Sequence, residues 1–521
     1  MSLATTTGAA GAPALPGAEP PVARGLVVGS VMLATLMQAI DTTIANVALP
    51  EMQGSLSATQ DQTAWVLTSY IVAAAIMTPV TGWLAGAFGR RRLLLLSVTG
   101  FTIASLLCGI ATGIGEMVLF RVLQGVFGAA LVPISQSLLL DVFPKEKHGQ
   151  AMALWGMGIM VGPILGPPLG GWLTENYSWR WVFLINLPIG LLALLGIMAS
   201  VRKEATHSRP LDWIGLGLLA AGIGALQLCL DRGQGEDWFG SIEIQVEAAI
   251  AFLALYLYVL HWKSSQHPVL DLGLWRNANF AVANMLIFVI GIVLFSTLAL
   301  LPPYLSQLMH YPVLDIGLLL APRGVGTMAG MMLVGRLLGR IDARWPIAVG
   351  ILLTTFSLYL MTKFGLMVDQ SDVVWIGAIQ GLGLGLVFVP ISSVAYATLP
   401  AHQRTEAASL FSLVRNIGSS IGISVVMSLL ARNVQVSHAE IVQRIPAYGA
   451  EQGLVPAMWD PTTASGAALL NAEVSRQAAV LAYVDDFWLL MGLTALALPL
   501  VYFLRVAKGP GAVPAPTIDH V

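Results

Sequence analysis

The sequence predicts an all-α membrane protein of fourteen transmembrane helices: two six-helix halves related as a parallel repeat, with two further helices inserted between them. Three observations predict it: an apolar composition poor in charge, about fourteen apolar stretches long enough to cross a bilayer, and a set of residue matches at one fixed offset. Of the 521 residues, 56% are hydrophobic and 10% charged, with mean hydropathy +0.77. A soluble protein carries about 25% charged residues, so this chain lacks the polar side chains to cover several soluble domains. Its 53 Gly and 28 Pro run through apolar segments, as membrane helices tolerate. A net charge of −2 offers no basic surface, so no nucleic-acid partner is expected. Cys108 and Cys229 sit mid-run as small hydrophobes, the 8 His lack ligand spacing, and no metal site is expected.

Residues 1–23 are Gly/Ala/Pro-rich and read as a disordered cytoplasmic tail; they have no basic n-region and so are not a signal peptide. A membrane helix needs about 20 apolar residues. Windows of that kind start near residues 25, 62, 93, 117, 150, 181, 212, 243, 278, 315, 346, 373, 406 and 484. Lys and Arg orient them. With the N-terminus inside, the inner segments hold Arg24, Arg90, Arg91, Arg92, Lys145, Lys147, Arg202, Lys203, Arg209, Lys263, Arg276, Arg340, Arg344, Arg404, Arg505 and Lys508. The outer segments hold Arg180, Arg232, Lys363, Arg432, Arg444 and Arg476, roughly 6 against 16, so both termini are expected in the cytoplasm. Arg121, Arg323, Arg336 and Arg415 fall inside spans.

Gln124-Gly125 and Gln380-Gly381 are 256 residues apart, and the same offset pairs Pro144 with Pro400, Ala151 with Ala407, Leu154 with Leu410, Gly162 with Gly418 and Gly166 with Gly422. The matches pair the fourth span with the twelfth and the fifth with the thirteenth. An even number of spans separates them, so the copies run in the same direction across the membrane, as in transporters built by duplication. The expected organisation is a tail (1–23), a six-helix half (24–205), an inserted helix pair (206–265), a second six-helix half (266–506) with a long outer loop (431–483), and a tail (507–521).

Chemistry concentrates at few positions. Asp41 lies late in the first span, in QAIDTTIANVALP. A charged side chain at the centre of a membrane helix costs about 2.5–3.5 kcal/mol on insertion scales, and such residues mark ion or proton paths. The other reading makes Asp41 an interfacial residue beyond the end of a shorter span. Arg121, in LFRVLQGVFGAALVP, has Gln124 and Gly125 on its own helix face at i+3 and i+4. A buried guanidinium needs a partner: either a carboxylate whose proton it helps to control, or backbone carbonyls alone. Its repeat equivalent is Gly377, so the charge belongs to one half.

In the fifth span, GMGIMVGPILGPPLGGWL, Gly158, Gly162, Gly166 and Gly170 recur every four residues, Gly171 follows, and Pro163, Pro167 and Pro168 interleave. Such spacing makes a small-residue face for close packing, and the prolines are expected to bend the helix. Arg90, Arg91 and Arg92 are explained by the inside-positive bias. Arg415 with Asn416 is a candidate for the cavity of the second half, Glu247 a weaker one. Tyr70, Trp155 and Phe295 are candidate cavity walls, with ordinary packing as the alternative. No GxxxxGK[ST] loop or nucleophile elbow occurs, so ATP does not drive the protein directly and no enzyme is expected.

DTTIANVALP with Asn46, Arg121-Val-Leu-Gln124-Gly125 and GPILGPPLGG resemble three signature motifs of the major facilitator superfamily, the last being its antiporter motif. WRWVFLINLPIG and the fourteen spans are similar to the EmrB/QacA-type drug:proton antiporters, and LDRGQGEDWF to their EmrB branch. The resemblance covers nearly the whole chain. It implies the major facilitator fold and export of amphipathic or lipophilic compounds across the bacterial inner membrane, driven by the proton gradient with no other cofactor. It also implies a periplasmic membrane-fusion adaptor and an outer-membrane channel as partners. Asp41 and Arg121 would then couple the proton. One departure stands in the loop GWLAGAFGRRR, where the family carries an acid and an Arg and this chain has Gly86 and Ala87. The rival reading is a dedicated exporter of one metabolite, such as a fatty acid, siderophore or antibiotic.

Overall fold

The computed structural model describes residues 24–144, 147–202, 210–338, 340–400, 403–445, 459–460 and 463–504. Both expected tails lie outside these residues, as do Lys145, Lys203, Arg209, Arg505 and Lys508.

Every span expected from hydropathy is helical. In order they are Arg24–Ser55, the pair Gln62–Met77 with Thr81–Phe88, Arg90–Ile110, Ile114–Val142, His148–Asn176, Trp181–Ser200, Trp213–Arg232, Ile242–Ser264, Ala278–Leu308, Asp315–Leu337, Arg344–Met361, Gln370–Ala397, Arg404–Arg444 and Ala464–Phe503. The second is a pair of helices bent by 60° at a break, together long and apolar enough for one span. Local chemistry sets several starts. Thr59 and Gln62 form a capping box, each side chain accepting from the other's backbone N–H. Asp212, Asn277, Asp369 and Thr463 cap the seventh, ninth, twelfth and fourteenth spans with side-chain oxygens.

The duplication reappears in the packing. The first span lies on the fifth, the second on the fourth and the third on the sixth; the ninth lies on the thirteenth, the tenth on the twelfth and the eleventh on the fourteenth. The two halves meet where the fifth span runs along the tenth, and where the thirteenth touches the second and fourth. The inserted seventh and eighth spans pack chiefly on each other. The seventh also bridges the halves: Thr68 of the second span bonds Asp231, and Ser420 and Ser424 of the thirteenth bond Gln227 and the Leu230 carbonyl.

One expectation is corrected. The segment 431–483 is not a loop in its described part. The thirteenth helix continues unbroken to Arg444, and the fourteenth begins at Ala464 instead of near 484. A helix of 41 residues is about 60 Å long against a hydrocarbon core of about 30 Å, so its later turns leave the bilayer while keeping their backbone hydrogen bonds. The window found only the apolar part of each helix, because hydropathy reports solvent preference and helicity does not depend on it. Pro163, Pro167 and Pro168 lie inside the fifth span, which is one continuous helix from His148 to Asn176. Neighbouring helices in a membrane can re-satisfy the carbonyls that proline frees.

Candidate functional site

Asp41 sits 18th in a 32-residue helix, so the helix does not end before it. Its carboxylate is fully buried, and the paired Arg121 side chain is 1% exposed. Arg121 Nη1 donates to Asp41 Oδ2 at 2.7 Å and to Gln124 Oε1 at 2.7 Å, while Gln124 Nε2 donates to Asp41 Oδ1 at 2.8 Å. Helical spacing puts Arg121 and Gln124 side by side, so one turn of the fourth span offers two donors to one carboxylate. A further donor comes from the sixth span: Asn186 Nδ2 bonds Asp41 Oδ1 and Ser105 Oγ, each at 2.9 Å. Arg121 Nε is held by the Val66 carbonyl at 2.9 Å, and its guanidinium lies 4.3 Å from the Tyr70 ring centre. Both alternatives for Arg121 thus hold together: it pairs with a carboxylate and also donates to a backbone carbonyl.

The glycine face of the fifth span is what brings the first span close. A Cβ on Gly162 would strike the backbone of Ala39, and one on Gly166 the side chain of Thr43, residues two before and two after Asp41. Gly158 faces Met32, and a Cβ on Gly170 would lie 2.8 Å from Ile44. Thr43 Oγ1 donates to the Gly162 carbonyl at 3.0 Å, tying the helices at the level of the acid. Gly171 is different: its nearest neighbour, Val47, would be 3.9 Å from a Cβ. The opposite face of the same helix meets the tenth span, with Ile164 against Gly324 and Pro168 against Gly317. One helix therefore touches both the acid-bearing span and the other half.

Other expected residues are placed elsewhere. Asn46 is exposed and takes no part in the bonds to Asp41, because five residues of helix turn it away from that face. Tyr70 is not a cavity wall; it lies buried against Arg121. Trp155 is 1% exposed and stacks on Phe388 of the twelfth span with ring centres 5.9 Å apart, so it fills the contact between halves. Phe295 is half-buried on the ninth span. Among the described residues Arg415 donates only to the neighbouring Asn416 Oδ1, at 3.2 and 3.4 Å. Glu247 lies 4.0 Å from Arg232 within the inserted pair.

A second cluster, at the end rich in Lys and Arg, was not anticipated. Asp141 closes the fourth span and accepts from Arg90 at 2.5 Å and from Arg404 of the other half at 2.8 Å. Ser137 and Thr405 hydroxyls lie 2.8 Å apart across the same boundary, and Tyr396 Oη donates to Gln136 Oε1 at 3.0 Å. Arg91 donates to the Met198 carbonyl at 2.7 Å, whereas Arg92 is exposed. The three arginines are thus unequal, and Arg90 joins a bridge between halves. Asp141 brings a carboxylate to this boundary. The signal in the sequence was an acid at a span end, with Arg404 lying 7 residues past position 397, its equivalent at the 256-residue offset; Asn186 was visible only as a polar residue in an apolar run.

The comparisons with known proteins agree with this architecture. The family model described as Major Facilitator Superfamily matches residues 31–423. The chain belongs to the major facilitator superfamily. It is 36% identical to the multidrug export protein EmrB of Haemophilus influenzae over 480 residues, covering 90% of this chain and 94% of that protein. It is 38% identical to the fatty acid resistance protein FarB of Neisseria gonorrhoeae over 423 residues, 81% of this chain and 83% of that one. Among solved structures it shares its fold with the proton:xylose symporter XylE, with a TM-score of 0.61 at 14% identity, covering 92% of this chain and 95% of the other. As a major facilitator it is a multi-pass membrane transporter. Arg121, Gln124, Gly162 and Gly166 all fall within the matched residues, and so does the bridge of Arg90, Asp141 and Arg404.

Proposed function

We propose that this transporter is a proton-coupled antiporter that exports amphipathic or lipophilic compounds from the bacterial cytoplasm, as the inner-membrane component of a tripartite pump with an adaptor and an outer-membrane channel. The observation that carries the reading is Asp41, a fully buried carboxylate in mid-span held by Arg121, Gln124 and Asn186. Similarity to EmrB proteins supports multidrug export.

Asp41 is the proton carrier in this reading. Protonation removes the charge that Arg121 holds and converts Asp41 from an acceptor-only group into one that also donates, so the bonds from Gln124 and Asn186 must rearrange. That change is felt on the first span between Ala39 and Thr43, where the fifth span is packed without slack. The fifth span in turn lies on the tenth, which gives proton binding a mechanical route to the other half. The basic end is the cytoplasmic end, and the bridge of Arg90, Asp141 and Arg404 closes it between export events. A proton moving inward through 100 mV releases about 2.3 kcal/mol, and each unit of pH gradient adds about 1.4 kcal/mol, enough for one proton to sustain a gradient of a neutral compound of several hundred-fold.

Dye efflux from cells tests the reading, comparing wild type with Asp41→Asn, each with and without a protonophore. Efflux that needs both the gradient and Asp41 supports it. Efflux indifferent to the protonophore would overturn proton coupling, and efflux equal in Asp41→Asn would move the proton site elsewhere. Similarity to FarB favours one narrower alternative, a dedicated exporter of fatty acids. A panel of dyes, drugs and fatty acids separates the two.

A further inference from the structure

The centres of the two halves differ in charge. Gly125 backs on the Tyr70 carbonyl, which a Cβ would approach to 2.5 Å, and its repeat partner Gly381 backs in the same way on the Arg323 carbonyl. Arg323 thus holds in the second half the place that Tyr70 holds in the first. Around it, the position of Arg121 is taken by Gly377, where a Cβ would lie 3.6 Å from that of Arg323. Gln380 Nε2 donates to the Thr297 hydroxyl at 3.5 Å, where Gln124 donates to a carboxylate. The second half has kept a guanidinium, on a different helix, and among the described residues no acid pairs with it.

Arg323 is 5% exposed and lies about 15 Å along its helix from Val313, at 1.5 Å per residue. Among the described residues its one hydrogen bond runs from Nη2 to the Leu294 carbonyl at 3.1 Å, while Nη1 is buried without a partner. Ser296 Oγ and Gln380 Oε1 are also buried and unpaired in this half. The segments packed against the tenth span offer no counter-ion at this depth. The ninth has no charged residue, the twelfth has Asp372 in its first turn, and the fifth has His148 and Glu175 at opposite ends. Arg415 is a second cation without a carboxylate among the described residues: Gly291 of the ninth span packs on its carbonyl, one turn before the Leu294 that receives Arg323. Arginine stays charged in proteins, and its planar fork matches a carboxylate.

We infer that Arg323 is the centre of a monovalent-anion site in the second half, which takes the carboxylate of an exported amphiphile. The inference rests on the export reading and adds a substrate class to it: the carboxylate that Arg323 lacks among the described residues is supplied by the cargo, the buried Asp486 of this half lying on the fourteenth span. Chloride has the same charge and also accepts hydrogen bonds, so the test separates the two sources.

Purified full-length protein in detergent is titrated with dodecanoate or with dodecanol, in chloride and in gluconate buffers, and followed by thermal unfolding. Wild type is expected to respond to dodecanoate at concentrations at least tenfold below those needed for dodecanol. Arg323→Gln should abolish that preference and Arg323→Lys should retain part of it. Gly377→Asp, which sets an internal carboxylate beside Arg323, should abolish it as well, whereas Gly377→Asn should not; this pair decides the matter if Arg323→Gln fails to fold. A response to chloride with no preference for dodecanoate assigns the site to an inorganic anion and overturns the substrate role. Equal responses to all ligands, or a preference that survives both Arg323→Gln and Gly377→Asp, overturn the site. Parallel ethidium efflux keeps the two readings apart. Loss of proton-driven efflux with dodecanoate preference intact counts against export alone, and the reverse counts against the anion site alone.

Discussion

Gln124 and Gln380 stand 256 residues apart and make the same bond to different chemistry: the first donates to the Asp41 carboxylate at 2.8 Å, the second to the Thr297 hydroxyl at 3.5 Å. Duplication has preserved the amide, the helix face and the glycine that follows. Only one half has kept an acid in reach of the amide. Under the proposed function, charge asymmetry on a nearly symmetric frame would let one half answer to protons while the other is free to answer to something else.

Asp41→Asn is expected to abolish export driven by an imposed pH gradient, a loss of tenfold or more in everted vesicles. Asparagine fills the same space and leaves Arg121 without a counter-ion. Removing one partner of a buried pair costs about 3–5 kcal/mol, so the apparent melting temperature should also fall. Arg121→Gln should lose export to a similar degree. Full gradient-driven export by Asp41→Asn would refute the assignment.

Closure at the basic end can be trapped. Ser137 and Thr405 hydroxyls are 2.8 Å apart, and in a background without Cys108 and Cys229 the pair Ser137→Cys and Thr405→Cys should cross-link on mild oxidation. Export should stop and return on reduction. Asp141→Asn, which breaks the bridge to Arg90 and Arg404, should slow cross-linking several-fold. Unchanged export by the oxidised pair would mean that this boundary does not open during transport.

The arginines after the second span should separate by function. Arg90→Gln removes a charge bonded to Asp141 and Ser137 and should lower export several-fold. Arg92→Gln removes an exposed charge and should leave the rate within about twofold, since surface substitutions are usually worth under 0.5 kcal/mol. Equal losses, measured at matched expression, would show that total positive charge matters and the bridge does not.

Glycines of the fifth span make a graded series. Gly162→Ala pushes a methyl into the Ala39 backbone and should destabilise by about 1–3 kcal/mol, the usual cost of overpacking, with export falling in parallel. Gly171→Ala meets only Val47, at 3.9 Å, and should be silent. Thermal unfolding alongside efflux reads both effects; a harmless Gly162→Ala would show that the first and fifth spans can part without penalty.

By itself the sequence determined the solvent of this protein, its number of crossings, its duplication and two of the residues at its charged centre. Hydropathy and small-residue spacing are local properties, and in a bilayer they leave few alternatives to a helix. The capping of the second span by Thr59 and Gln62 belongs to the same class, being written within four residues. Only tertiary structure decided which polar groups meet. Asn186 reaches Asp41 across 145 positions, and Arg404 reaches Asp141 across 263; no local pattern records such pairs. Tyr70 read as a wall and became a platform for Arg121. Arg323 read as an unexplained charge and proved to occupy the place of Tyr70 in the other half. The polar ends of the last two helices were missed for a different reason. Where a helix leaves the bilayer its side chains turn polar while its backbone bonds continue, so hydropathy marks the membrane boundary and the helix ends where its own hydrogen bonds end.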